Sequence, residues 1–282
     1  MGTRARDGIR LARLARVSTA ALRSRLACSR AARRLWSHRK LRDVRIAFIS
    51  DMHGNAVAFR SALADLEAHD PDLIVSLGDV AQGGPQPAEC VDLLQQLGCP
   101  CVFGNSDELL LSLDLGAEQI EDEARRRQLL ETAEWSREQL GEERLAFLRG
   151  FEPTFEVDGL LCCHATPASN EHVILPTTPR ANVDGALEGI DARAVAAGHV
   201  HLQWLRRFGS RLWFCVGSVG LVYEHQEPLS DVPFEPWSEY ALVTEELAVE
   251  FRRVPFDVEE LIEVARRRDF PVFERWASMW QR

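Results

Sequence analysis

The chain has 282 residues, 46% hydrophobic and 27% charged, the proportions of an ordinary globular protein, which excludes disorder over the whole length. No run approaches the roughly 18 consecutive apolar residues of a membrane-spanning helix. The net charge of −10 is unevenly spread: residues 1–45 carry +12, from thirteen Arg and Lys40 against Asp7 and Asp43, so the rest carries −22 and would repel nucleic acid unless bound cations offset it.

Residues 1–43 hold no continuous apolar run and no small-residue cleavage site, so a secretory signal is not expected. The expectation is a basic, disordered extension ahead of one domain spanning 44–282, because charge blocks of this kind are usually solvated. Lys40 is the only lysine, and this Arg-for-Lys, Ala-rich usage points to a GC-rich bacterial genome. From Val44 the apolar pattern becomes periodic. Val44–Ile49 is predicted as a buried strand, Ala56–Glu67 as an amphipathic helix and Leu73–Leu77 as a second strand. Pro87–Leu97 follows as a second helix and Cys101–Phe103 as a third strand, an alternation that argues for parallel strands with crossover helices.

A polar helical stretch runs from Glu118 to Leu148. Short strands are then predicted at Phe155–Val157, Leu160–Cys163, Ala194–Ala197, Gln203–Phe208, Leu212–Val216, Tyr240–Thr244 and Val249–Val254. Turn signals such as Asp158-Gly159 and Gly209-Ser210 separate some of them. Helices at Val258–Arg267 and Val272–Trp280 close the chain, and the late tryptophans are expected to pack these elements. One α/β domain with two packed sheets and helices outside is the predicted architecture. The seven cysteines are irregularly spaced, with Cys162 and Cys163 adjacent in an apolar run and no zinc-finger spacing, so free thiols in a reducing cytoplasm are expected.

The chemistry-bearing residues follow the strands, where ligands gather in α/β folds. Strand one runs out into Ser50-Asp51-Met52-His53-Gly54-Asn55, strand two into Gly78-Asp79 and strand three into Gly104-Asn105-Ser106-Asp107. Later come Cys163-His164 and Gly198-His199-Val200-His201. In a loop, an i, i+2 pair such as Asp51/His53 or His199/His201 can turn both heads toward one centre. Mixed oxygen and imidazole donors without thiolate suit manganese, iron or zinc better than calcium or a soft metal. Seven such side chains suffice for two ions if one carboxylate bridges them. A single Gly-Asp is usually a turn and a single His usually a core residue; five such segments in order, each after an apolar strand, point to metal.

This ordered series, Asp-x-His, Gly-Asp, Gly-Asn, His and Gly-His-x-His, resembles the calcineurin-like metallophosphoesterase superfamily over about residues 44–255. Asp51-Met-His-Gly-Asn55, the compact size and Gly217-Ser-Val-Gly220 are similar to its compact bacterial phosphodiesterase branch. The resemblance implies a four-layer α/β/β/α sandwich of two mixed sheets and two divalent transition-metal ions, manganese foremost, with iron, zinc or nickel as alternatives. Asp51, His53 and His201 would hold the first metal and Asn105, His164 and His199 the second. Asp79 would bridge them, and Asp79, Asn105 and His164 would form the catalytic core around a metal-bridging hydroxide.

The implied activity is phosphodiester hydrolysis on a small phosphoester substrate, with neither membrane nor nucleic acid as partner and with the oligomeric state, homo-oligomer included, left open. A non-catalytic metal-binding scaffold of the same fold and a protein or nucleotide phosphomonoesterase stand as alternatives. Two departures from the family pattern bear on mechanism. Ser106 stands where many members have a His that protonates the leaving oxygen, and Cys215-Val216 replace an Asn-Pro. Ser106, Ser218 and His225 are candidate substrate contacts. For Ser218 a tight-turn role weighs equally, and for Asp107 a helix cap weighs as much as orienting a ligand. His69 and His172 match no motif.

Overall fold

The computed structural model describes residues 45–115, 122–223 and 232–280. The basic arm at 1–43 and His225 lie outside them. Among the described residues no helix is long and apolar enough to cross a membrane. The strands are β1 (Ile46–Ile49), β2 (Leu73–Ser76), β3 (Thr154–Val157), β4 (Leu160–Cys163), β5 (Ala194–Ala197), β6 (Gln203–Phe208), β7 (Arg211–Val216), β8 (Trp237–Thr244) and β9 (Ala248–Pro255). The helices are α1 (Ala56–His69), α2 (Pro87–Leu97), α3 (Asn105–Ser112), α4 (Glu123–Leu148), α5 (Arg180–Ala186), α6 (Val258–Arg267) and α7 (Phe273–Ser278).

One sheet has the order β2-β1-β8-β9, with β1 and β2 parallel and β8 antiparallel to both its neighbours. The other has the order β3-β4-β5-β7-β6, with β4, β5 and β7 parallel between antiparallel edges. Side chains alternate faces along a strand, and that period of two sorts this core into layers. Ile46, Phe48, Val75, Leu160, Cys162, Ala196, Phe214 and Ala241 form one buried cluster between the sheets. Phe48 and Phe214 meet there edge to face, 5.8 Å between centroids. The alternate residues Ala47, Ile49, Ile74 and Leu242 face outward onto α1, α2 and α4, and Cys163, Val195 and Trp213 face outward onto the α5 layer. The result is the four-layer α/β/β/α sandwich. A separate cluster joins α6 and α7 to Val57 of α1 through Leu261, Phe270, Trp276 and Trp280.

Local chemistry explains most boundaries. The side chain of Asn55 accepts from the Ala58 amide at 3.0 Å and caps α1. Pro87 opens α2, where its missing N–H costs nothing, and Gly98 closes it with φ 61°. Three elements differ from the sequence expectation. Cys101–Phe103 forms only single bridges, Cys101 to Ser76 and Val102 to Glu152, because Pro100 and Gly104 leave too little chain for a strand. Helix α3 begins at Asn105, ahead of the expected start beyond Asp107. Helix α5 was not expected, since its seven residues include Gly185 and bury only Val183.

Candidate metal centre

The C-terminal ends of β1 and β2 in one sheet and of β4 and β5 in the other converge, and the loops leaving them carry six of the seven candidate ligands, while Asn105 comes from the start of α3. Backbone bonds lock the loops together: Asp51 N–H donates to Gly78 O at 2.9 Å, His53 N–H to Asp79 O at 3.0 Å and Gly198 N–H to His164 O at 2.8 Å. Asp51, His53, Asp79, His199 and His201 all adopt left-handed backbone, with φ of 56°, 46°, 56°, 69° and 53°. That conformation costs non-glycine residues on the order of 1 kcal/mol or more each, and it persists only where surrounding structure enforces it. Glycine lets the carboxylates seat against backbone. A Cβ at Gly104 would collide with the Asp79 carboxylate, and one at Gly198 would lie 2.7 Å from Asp51 Oδ2 and strike Ser50.

The histidines are oriented by backbone carbonyls. The Nδ1 atoms of His53 and His164 lie 2.8 Å from Gln82 O and 2.7 Å from Leu77 O, and Nδ1 of His201 contacts Leu221 O. A carbonyl accepts only, so each Nδ1 carries the proton and, in the neutral ring, Nε2 turns a lone pair inward. His199 is reversed: Nε2 lies 3.0 Å from Glu171 O, and Nδ1 faces inward.

The inward atoms crowd one another. His53 Nε2 is 3.0 Å from His201 Nε2, and Asp51 Oδ1 lies 3.2 Å from His201 Nε2 and 3.7 Å from His53 Nε2. Asn105 Oδ1 is 3.0 Å from His164 Nε2 and 3.1 Å from His199 Nδ1. Between these groups Asp79 points one oxygen each way, Oδ2 at 3.6 Å from His53 Nε2 and Oδ1 at 3.5 Å from His164 Nε2. Asp51 Oδ1 is buried with no hydrogen-bond partner among the described residues. Buried lone pairs facing one another are repulsive unless a cation or a proton lies between them. The donor set therefore fits divalent cations, and the ligand atoms of Asp51, His53 and His201, and of Asp51, Asp79 and His164, lie within 4.8 Å of one another.

The titration behaviour has the same cause. Burial alone would raise the Asp51 and Asp79 carboxyls, but the imidazoles around them hold both well below the usual carboxylate range. Burial likewise opposes charge on His164, yet Asp79 and then Asp51 push it up to about 10. His199 is pulled down to about 4 by burial and by the neighbouring His164. Without metal, protons on the imidazoles supply the positive charge that the two carboxylates require.

Other expected residues support this centre from behind. Ser106 donates its hydroxyl to Asp79 Oδ2 at 2.8 Å and its N–H to Asp79 Oδ1 at 2.9 Å. Asp107 accepts from the Asp79, Val80 and Gly104 amides at 2.9, 3.0 and 3.1 Å, so it caps α3 and fixes the Asp79 loop at once. Burial, followed by the Asp79 charge, raises its carboxyl to about 6. Ser218 is fully buried between Asp51 O, to which it donates at 2.8 Å, and the Leu221 amide, which donates to it at 2.9 Å. It holds the Asp51 loop from beneath. Sequence reasoning missed Gln82, whose carbonyl orients His53 and whose side chain donates to Thr132 of α4 at 3.1 Å. A backbone acceptor leaves no signature in residue type. His69 pairs with Asp65 at 3.6 Å, and His172 is exposed.

The family model described as calcineurin-like phosphoesterase matches residues 44–203, more than half of the chain, a span within which the seven candidate ligands lie. An uncharacterized protein of Methanocaldococcus jannaschii is 42% identical over 62 residues, a stretch covering 22% of this chain and only 26% of that relative. Among solved structures, a metallophosphoesterase from Sphaerobacter thermophilus superposes with a TM-score of 0.65 at 23% identity, over 84% of this chain and 99% of its own. A hypothetical protein from Pyrococcus horikoshii gives 0.70 at 19% identity, over 84% and 98%. At such identities the likeness is one of fold.

Proposed function

The chain belongs to the calcineurin-like phosphoesterases, metal-dependent phosphoric ester hydrolases, and on that premise we propose that it is a binuclear enzyme acting on phosphodiesters. The observation that carries this reading is the crowding of buried, inward-facing donor atoms on both sides of Asp79, with Asp51 Oδ1 making no hydrogen bond among the described residues. Asp51, His53 and His201 would hold one divalent ion, Asn105, His164 and His199 the other, and Asp79 both. Two such ions supply Lewis acidity to the phosphoryl oxygens and lower the pKa of the attacking water.

The protein contributes position. Carbonyls of Gln82, Leu77, Leu221 and Glu171 keep the imidazoles aimed inward, and Asp107 keeps the Asp79 loop in its strained conformation. The all-oxygen-and-nitrogen donor set supports manganese. Ser106 spends its proton on Asp79 and offers none to the leaving group. That supports a preference for esters whose leaving alcohol is already acidic. Cys90, Cys99, Cys162, Cys163 and Cys215 are free thiols, which supports a reducing compartment such as the cytoplasm.

Purified protein should contain close to two transition-metal ions per chain. Chelation should abolish hydrolysis of an aryl phosphodiester, and manganese should restore it. Absence of bound metal together with no activation by any divalent ion would leave a non-catalytic scaffold of this fold as the reading.

A further inference from the structure

The metal centre opens into a cavity of about 530 Å³ that is far larger than a phosphoryl group needs. Its floor is His53, Asp79, Asn105 and His201, and its far wall comes from two other parts of the chain. One is a face of α4, where Arg125, Gln128, Leu129 and Thr132 follow at spacings of three and four and so project to one side. The other is aromatic and belongs to Tyr223, Phe234, Phe270 and Trp276. The rings form a path leading outward from the metal ligands. Tyr223 lies 4.7 Å from the ring of His201 and 6.4 Å from Phe234, while Phe270 meets Trp276 edge to face at 5.3 Å.

We propose that this cavity is the subsite for the organic arm of the substrate, and that the enzyme selects phosphoesters with a planar aromatic arm. The inference rests on the phosphoesterase reading of the floor. A cleft of this size with mostly apolar walls and a few polar groups is the form a small-molecule site takes. Charged groups of both signs line the wall, Arg125 and Arg275 with Asp114 and Glu171, so the aromatic rings are what distinguish one arm from another. The aromatic wall lies beyond residue 203, outside the family match, whereas every candidate ligand lies inside it. The α4 face lies inside the match, so the arm subsite joins a helix within it to an aromatic segment beyond it.

The test is calorimetric binding of phenylphosphonate and of methylphosphonate to the manganese-loaded full chain. The two share a head group and differ only in the arm. Phenylphosphonate should bind tighter on the order of thirtyfold, from the additional ring surface removed from water. In Leu129→Trp, a substitution on a half-buried helix face that fills the cavity, the ratio should fall toward one while methylphosphonate affinity holds. Equal affinities in the unmodified protein, or a ratio untouched by Leu129→Trp, would overturn the subsite while leaving hydrolysis intact. A protein that binds neither metal nor phosphonate would instead overturn the phosphoesterase reading, and the subsite with it.

Discussion

The floor and the wall of the cavity are built in opposite ways. The floor is polar, buried and made of loops at the ends of β1, β2, β4 and β5 together with the start of α3, with five of its seven candidate ligands in left-handed backbone. The wall is largely apolar and carried by helices α4 and α7 and by the segments around Tyr223 and Phe234. On the floor every candidate ligand but Asn105 is fixed by a hydrogen bond to a backbone group distant in the chain, and Asn105 by the imidazoles of His164 and His199, so one substitution disturbs several ligands. On the wall each side chain contributes surface, which is additive and replaceable. Machinery for a shared reaction belongs on the first kind of construction and substrate choice on the second.

That contrast sets an order of effects. Asp79→Asn removes the charge facing both groups of ligands, so turnover should fall on the order of a thousandfold under saturating manganese. The loss should exceed that of His53→Ala, which touches one side only, and near-normal kcat in Asp79→Asn would break the two-metal assignment. Asp107→Asn comes next. It places an NH₂ group among amides that already donate, so metal affinity should drop about 10–100-fold, read by competition with a chelator. An unchanged affinity would mean that the Asp79 loop holds its shape without Asp107.

Ser106→Ala should be milder. It removes the hydroxyl bond to Asp79 Oδ2 but keeps the amide bond to Oδ1, a loss of about 1 kcal/mol or roughly fivefold in metal affinity. Ser106→His should instead flatten the dependence of kcat/KM on leaving-group pKa across a graded series of esters. A flat series in the unmodified enzyme would mean that another group already supplies the proton. The smallest effect belongs to the wall. Arg268, just after α6, pairs with Glu89 and donates to Pro85 O at 3.2 Å, tying the C-terminal segment to α2. Because that pair is about a third exposed, Arg268→Ala should cost at most about 1 kcal/mol, raising KM a few-fold with kcat unchanged. A fall in kcat without a change in KM would show that the wall reaches the chemistry.

The floor was legible in the sequence because the side chains that make it are chemically distinctive. Asp51, His53, Asp79, His164, His199 and His201 follow apolar runs that form strands, and Asn105 follows the short Cys101–Phe103 run that forms only bridges beside them. The wall was not legible. Phe234, Phe270 and Trp276 are residues of the kind found in any core, and nothing in their spacing separates a residue that packs a helix from one that also borders a cavity. Trp276 accordingly reads in the sequence as packing alone, and in the structure it does both.

By itself, the sequence determined the layers and the inventory of candidate ligands, since period-two strands and carboxylate–imidazole segments are local properties that survive without knowing the fold. Only the tertiary structure decided the second set of partners. The turn role of Ser218, the use of Ser106 and Asp107 to hold Asp79, and the carbonyls that orient each imidazole are contacts between residues distant in the chain, as from Asp51 to Ser218. Such contacts depend on how far apart two loops sit once both sheets have packed. That separation is set by every side chain in the inter-sheet core together, so no single stretch of sequence records it.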